Sequence, residues 1–195
     1  MSKFLILILI ILLVLVAIVL AKHVQLPKGG IVGGGTTEYV AILMVKTPLE
    51  LREMQRKYIP HVTIPSHLTL AYLDPNIANN DAYLKKLRKL PPMDITFNHL
   101  KVTSTFAGLI PTDMKKLKGL TDIFGKQVKH GPRGGYHMSV AYNPKSKPLS
   151  KYALKEIRKK IPDRPFTLKA TSIKILKRKN YQDWVPYKTI FLPSS

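Results

Sequence analysis

One hexapeptide occurs twice in the chain. His67-Leu-Thr-Leu-Ala-Tyr72 and His137-Met-Ser-Val-Ala-Tyr142 agree identically at three positions and conservatively at the other three, seventy residues apart. Each copy reads as a short strand, so the pair marks an internal duplication. Successive side chains of a strand alternate faces. Regular alternation therefore sets His67, Thr69 and Ala71 on one face and Leu68, Leu70 and Tyr72 on the other, with the second copy behaving alike. Each strand then presents an imidazole and a hydroxyl together, the small alanine leaves room beside them, and the larger apolar residues pack beneath helices. A third match to the tetrapeptide, His61-Val-Thr-Ile64, lacks the Ala-Tyr continuation and runs into Pro65, which interrupts a strand ladder. His61 is read as a loop or edge residue.

Two imidazoles and two hydroxyls converging from related strands suit a definite chemistry. With an ordinary pKa near 6.5, one imidazole can stand neutral and the other protonated around neutral pH, the arrangement that general base and general acid catalysis requires. The hydroxyls of Thr69 and Ser139 can donate to anionic oxygens. Such a set fits in-line attack on a phosphodiester, with His67 and His137 as the acid and base pair in an unassigned order. No metal or other cofactor is called for. The chain has no cysteine and no HExxH helix, and a zinc site would need a third ligand such as His99 or His130.

The motifs sit in a chain of three parts. Phe4 to Ala21 is an unbroken apolar run of eighteen residues, enough as a helix to span roughly 27 Å of the hydrocarbon core. Residues 1–21 are expected to be an uncleaved transmembrane anchor, since signal-peptide cores are shorter. Residues 22–37, with Gly29-Gly30 and Gly33-Gly34-Gly35, read as a flexible tether. Residues 38–195 alternate β-rich runs with lysine-rich helical patterns, and the composition outside the apolar run, about 40% apolar, is that of an ordinary folded domain. Strands are expected at Tyr39–Val45, His67–Leu73, Ile95–Thr103, His137–Tyr142, Phe166–Leu176 and Pro186–Leu192. Helices are expected at Pro48–Tyr58, Asn80–Leu90, Thr112–Phe124 and Leu149–Ile161. The fold class is α+β.

At the paired H-φ-[ST]-φ motifs (φ apolar), His67-Leu-Thr-Leu70 and His137-Met-Ser-Val140, the chain resembles the 2H phosphoesterase superfamily. The resemblance covers roughly Glu38 to Leu192. It implies a bilobal, pseudo-twofold fold in which antiparallel sheets line a central cleft and the two motifs face each other. It also implies metal-independent chemistry on RNA ends or small nucleotides: hydrolysis of 2′,3′-cyclic phosphates, cleavage of 2′,5′-linked oligoadenylates, or 3′-end trimming. Carried onto this chain, the motif residues are His67, Thr69, His137 and Ser139.

Charge points the same way. Lys and Arg number 32 against 11 Asp and Glu, a formal net charge of +21, which attracts polyanions. Lysine clusters at Lys85–Lys89, Lys115–Lys118, Lys155–Lys160 and Lys174–Lys179 carry much of it. In Lys129-His-Gly-Pro-Arg-Gly-Gly-Tyr136, glycines allow close backbone approach to a ligand, Arg133 supplies a cation, and Tyr136 is a candidate to stack a base, as is Trp184. The expected partners are thus an RNA, oligonucleotide or cyclic-phosphate nucleotide substrate and a membrane held through the N-terminal helix. The expected state is a monomer whose C-terminal domain is cytoplasmic, because that domain lacks an Asn-x-Ser/Thr acceptor. The competing reading is a non-catalytic module of the same fold that binds RNA or anionic lipid by charge.

Overall fold

The computed structural model describes residues 38–60, 64, 66–143, 147–161, 164–178 and 184–193. The expected membrane anchor, the tether and His61 lie outside the described residues. Among the described residues no helix is long and apolar enough to cross a membrane.

The described strands are β1 Glu38–Val45, β2 His67–Leu73, β3 Asp94–Val102, β4 Phe106–Pro111, β5 Val128–His130, β6 Met138–Tyr142, β7 Phe166–Arg178 and β8 Val185–Phe191. The described α-helices are α1 Leu49–Tyr58, α2 Ala82–Leu87, α3 Met114–Asp122 and α4 Lys151–Lys160. All pairings are antiparallel, in the order β5-β2-β1-β7-β3-β4-β6, with β8 also on β7. The fold is α+β, and its six expected strands and four expected helices all form. Two strands, β4 and β5, were not among the expected set.

The long strand β7 makes this order possible. Its first residues, Phe166–Lys169, pair with β3, while Ala170–Arg178 pair with β1. Between the two stretches Thr171 is extra in the register with β1, and the bulge moves the buried side of the strand from Leu168 and Ala170 to Ile173 and Ile175. One motif strand, β2, therefore belongs to the half-sheet β5-β2-β1-β7-β8, and the other, β6, to the half-sheet β7-β3-β4-β6.

The core lies between these strands and the helices. Leu43, Leu68, Leu70, Leu109, Met138 and Val140 are fully buried from the sheet side, each such side chain contributing roughly 1.5–3 kcal/mol on removal from water. The helices answer with apolar residues at three- and four-residue spacing, Leu51 and Met54 on α1, Leu117 and Leu120 on α3, and Ala153 and Ile157 on α4. The start of α4 is fixed by Ser150, whose hydroxyl accepts from the Ala153 amide at 3.1 Å. The helices are crossed with respect to the motifs: α1, which follows β1, packs on β6, and α3, which follows β4, packs on β2.

Candidate active site

Each motif strand carries a β-bulge, and it is the same one. Beside β1, His67, Leu68 and Thr69 face Met44, Leu43 and Ile42, after which the register jumps to Ala71 opposite Ala41 and Tyr72 opposite Val40. Leu70 is the extra residue. Beside β4, Met138 and Ser139 face Leu109 and Gly108, and the register then jumps to Ala141 opposite Ala107 and Tyr142 opposite Phe106, with Val140 extra.

The bulge corrects the expected alternation. An extra residue resets which face follows, so Ala71 and Ala141 are fully buried in the core, while Tyr72 and Tyr142 are half-buried. Tyr72 packs, as Met44 does, on the cluster of Val40, Ile42 and Leu176, and Val40, Ile42 and Met44 are the β1 residues opposite Tyr72, Thr69 and His67. The motif face therefore presents His, hydroxyl and Tyr, and the space assigned to the alanine is not on it.

Both imidazoles are held in one tautomer. His67 Nδ1 lies 2.6 Å from the carbonyl of Ile64, and His137 Nδ1 lies 2.9 Å from the carbonyl of Gly135. A carbonyl only accepts, so each neutral ring carries its proton on Nδ1 and leaves the Nε2 lone pair free. Gly134 and Gly135 have φ of +74° and +83°, a backbone region open to glycine that turns the Gly135 carbonyl under the ring two residues on. Burial pushes the His67 pKa below its usual 6.5, and the nearby His137 pushes it further the same way, against the pull of the Ile64 hydrogen bond. The two imidazoles thus stand within electrostatic reach, in keeping with the direct approach of β2 to β6. Thr69 and Ser139 are half-buried on the same strands.

The surroundings of the two motifs differ. Around motif 1 the lining is apolar, with Val40, Ile42 and Leu176 buried and Met44, Ile64, Tyr72 and Trp184 packed on them. At motif 2 the Phe106 ring meets His137 edge to face, with centroids 5.1 Å apart. Phe106 reaches this position by lying across Gly108, where an added Cβ would fall 2.2 Å from the ring's Cζ. Gly108→Ala is therefore expected to drive Phe106 off His137 and to destabilise the domain by about 1–3 kcal/mol, the cost of overpacking. Urea unfolding measures the loss, and the His137 ring protons report the departure of Phe106.

The other expected site residues divide. Strand β5 pairs with β2 through His130 opposite Tyr72, and the two rings stack at 4.5 Å. The segment that follows carries Arg133 back over the Tyr72 ring, 5.4 Å from its centroid. Arg133 thus joins the motif face. Tyr136 is half-buried and packed against the core, its hydroxyl 2.9 Å from Thr121 Oγ1. His99 is exposed on β3. Among the described residues no three His, Asp or Glu side chains cluster as metal ligands would. Sequence reasoning missed Tyr72, Phe106 and Gly108; the repeated Ala-Tyr after each motif was the available signal for Tyr72.

No protein-family model matches the chain, and a search of curated proteins finds no significant match. Among solved structures it is similar to E. coli LigT complexed with ATP, at 18% identity over 82% of this chain and 100% of that one, with a TM-score of 0.48. It is also similar to LigT complexed with NADP+, at 18% identity over 80% and 99% with a TM-score of 0.47, and to a phosphoesterase, at 17% over 83% and 100% with a TM-score of 0.44. On its paired motifs and the matching way in which both are built, the chain resembles the 2H phosphoesterases.

Proposed function

We propose that the protein is a membrane-anchored 2H-type phosphodiesterase acting on RNA ends or oligonucleotides, on a 2′,3′-cyclic phosphate or a 2′,5′ linkage. One observation carries the reading: two imidazoles, each with Nδ1 tied to a backbone carbonyl so that the neutral ring keeps its lone pair on Nε2, precede or open like-bulged strands that each add a hydroxyl two residues on. In the reaction His67 Nε2 takes a proton from the attacking water, whose oxygen forms the new P–O bond. His137, protonated, gives its proton to the sugar oxygen as the old P–O bond breaks. Thr69 and Ser139 donate to the phosphoryl oxygens, and the Arg133 guanidinium adds a cation. Its position over Tyr72 supports a role at the nucleoside end of the substrate.

The order of base and acid follows from surroundings. Burial and the neighbouring imidazole both favour the neutral form of His67, which suits a base. The rate should fall as pH drops through the lowered pKa of His67, so the acidic limb of kcat/KM is expected below pH 6.5. The same shift has a stability consequence with a definite sign. The unfolded ring takes up its proton first on acidification, so stability is full above the unfolded value and declines as pH falls toward the folded one. A pH–rate profile in EDTA on a 2′,3′-cyclic nucleotide and a 2′,5′-oligoadenylate tests the reading. An acidic limb at or above 6.5 overturns the assignment of His67 as base. Tight RNA or lipid binding without turnover of either substrate overturns the enzymatic reading in favour of a binding module.

A further inference from the structure

The residue before each motif histidine is tied to the other motif by a buried side chain from a helix. Gln55 of α1 is 1% exposed. It accepts from Ser66 Oγ at 2.8 Å through Oε1 and donates to the Ser139 carbonyl at 2.7 Å through Nε2. Ser66 directly precedes His67, and Ser139 is the hydroxyl residue of motif 2. Thr121 of α3 is 8% exposed. Its Oγ1 lies 2.9 Å from Tyr136 Oη and 3.1 Å from the carbonyl of Leu70. Tyr136 directly precedes His137, and Leu70 is the bulge residue of motif 1.

The two helices match in pattern. Leu51, Met54, Gln55 and Tyr58 on α1 have the spacing of Leu117, Leu120, Thr121 and Phe124 along and just beyond α3, so each polar residue occupies the same place on an otherwise apolar stripe. A polar group on such a stripe is costly unless fully paired. Here the pairing is complete and directional. The Ser66 proton goes to Gln55, so Thr47 Oγ1, 2.8 Å away, donates to Ser66 Oγ. The Thr121 proton is directed to carbonyls, at Leu70 and at Leu117 3.2 Å away, so Tyr136 donates to Thr121. Ser66 is also the one described non-glycine residue with positive φ, +59°, a conformation that persists where surrounding contacts over-determine it.

We propose that Gln55 and Thr121 are paired positioning residues that fix the separation of the His67 and His137 imidazoles, each bracing the residue before one histidine to the backbone of the other motif. The proposal rests on the phosphodiesterase reading for its kinetic consequence, and neither residue touches substrate.

The test uses the full-length chain with Gln55→Met, Gln55→Glu and Thr121→Val. Gln55→Met and Thr121→Val are expected to lower kcat roughly 10- to 100-fold while KM changes by less than about 3-fold. Gln55→Glu separates bracing from packing. Ionised, the new carboxylate accepts from Ser66 but repels the Ser139 carbonyl; protonated, it donates there and restores the brace. Its kcat relative to wild type should therefore rise as pH falls from about 8 to about 6, the range in which a buried Glu takes up its proton. The titratable groups on the surrounding elements are His67, His137, Tyr142 on β6, and Glu156 on α4 with Lys57 and Tyr58, and all are common to wild type. In NMR spectra the backbone amides of His67 and Val140 should shift together in Gln55→Glu, with one midpoint that wild type and Gln55→Met lack. A pH-independent ratio in an active enzyme overturns the brace and leaves the phosphodiesterase reading standing. A wild type inactive on every phosphodiester overturns that reading, and the two amides then decide the brace alone: a common midpoint upholds it, separate or absent shifts refute it.

Discussion

His67→Asn and His137→Asn are each expected to lower kcat by roughly 10²–10⁴-fold, the range supplied by a positioned acid or base. The double variant should be little worse than the poorer single one, because proton removal and proton delivery serve one displacement and lose their value together. Folding is a separate matter. Each ring holds a single backbone carbonyl and asparagine keeps a polar side chain in its place, so melting temperatures should stay within a few degrees of wild type, about the effect of one hydrogen bond. Steady-state kinetics beside thermal unfolding checks both halves. A His67 variant that keeps its acidic limb while the His137 variant loses it would reverse the roles assigned here.

Phe97→Ala is expected to have the largest effect on stability, about 3–5 kcal/mol. Phe97 is fully buried, stacks on Phe166 with centroids 5.8 Å apart, and lies opposite both Phe166 on β7 and Pro111 on β4. It sits where the half-sheet bearing motif 2 leaves β7. Against a typical total of 5–15 kcal/mol, a loss of this size should lower Tm by roughly 10–15 °C. The comparison is Phe191→Ala on β8, where the ring is 80% exposed and the expected change lies within about 0.5 kcal/mol. Urea and thermal unfolding of the two variants side by side give the contrast. Kinetics on Phe97→Ala at low temperature should show an unchanged KM, since the motif side chains themselves are intact.

Strand β2 is legible in the sequence to the residue, because His67-Leu-Thr-Leu-Ala-Tyr-Leu73 combines β-branched and aromatic side chains with clear boundaries. Helices α1, α3 and α4 are legible for the matching reason of period. Strand β4 hid behind Gly108 and Pro111, residues that read as turn formers. Gly108 is there to let Phe106 lie flat, and Pro111 ends the strand. Strand β5 is three residues long and exists through its pairing with β2, a tertiary cause with no local trace. The bulges were invisible for a related reason, since alternation is a property of a regular ladder and a single extra residue reverses it. Only the repeat of Ala-Tyr in both copies preserved their mark. Gln55 in isolation is an ordinary polar helix residue, but its place at the spacing of Leu51 and Met54 puts it on the buried stripe.

The net charge of +21 gives this account its other physical support. A chain with that excess draws anionic polymers to itself over distances set by the Debye length, about 8 Å at physiological salt. In the proposed reaction the motif face supplies the chemistry that charge alone lacks. Turnover of a 2′,3′-cyclic nucleotide and of a 2′,5′-oligoadenylate by the full-length protein in EDTA, with product ends identified, tests the central claim most directly. Hydrolysis of at least one of the two is expected, lowered at least about 100-fold in His67→Asn and in His137→Asn; hydrolysis undiminished in either variant would contradict the acid–base pair.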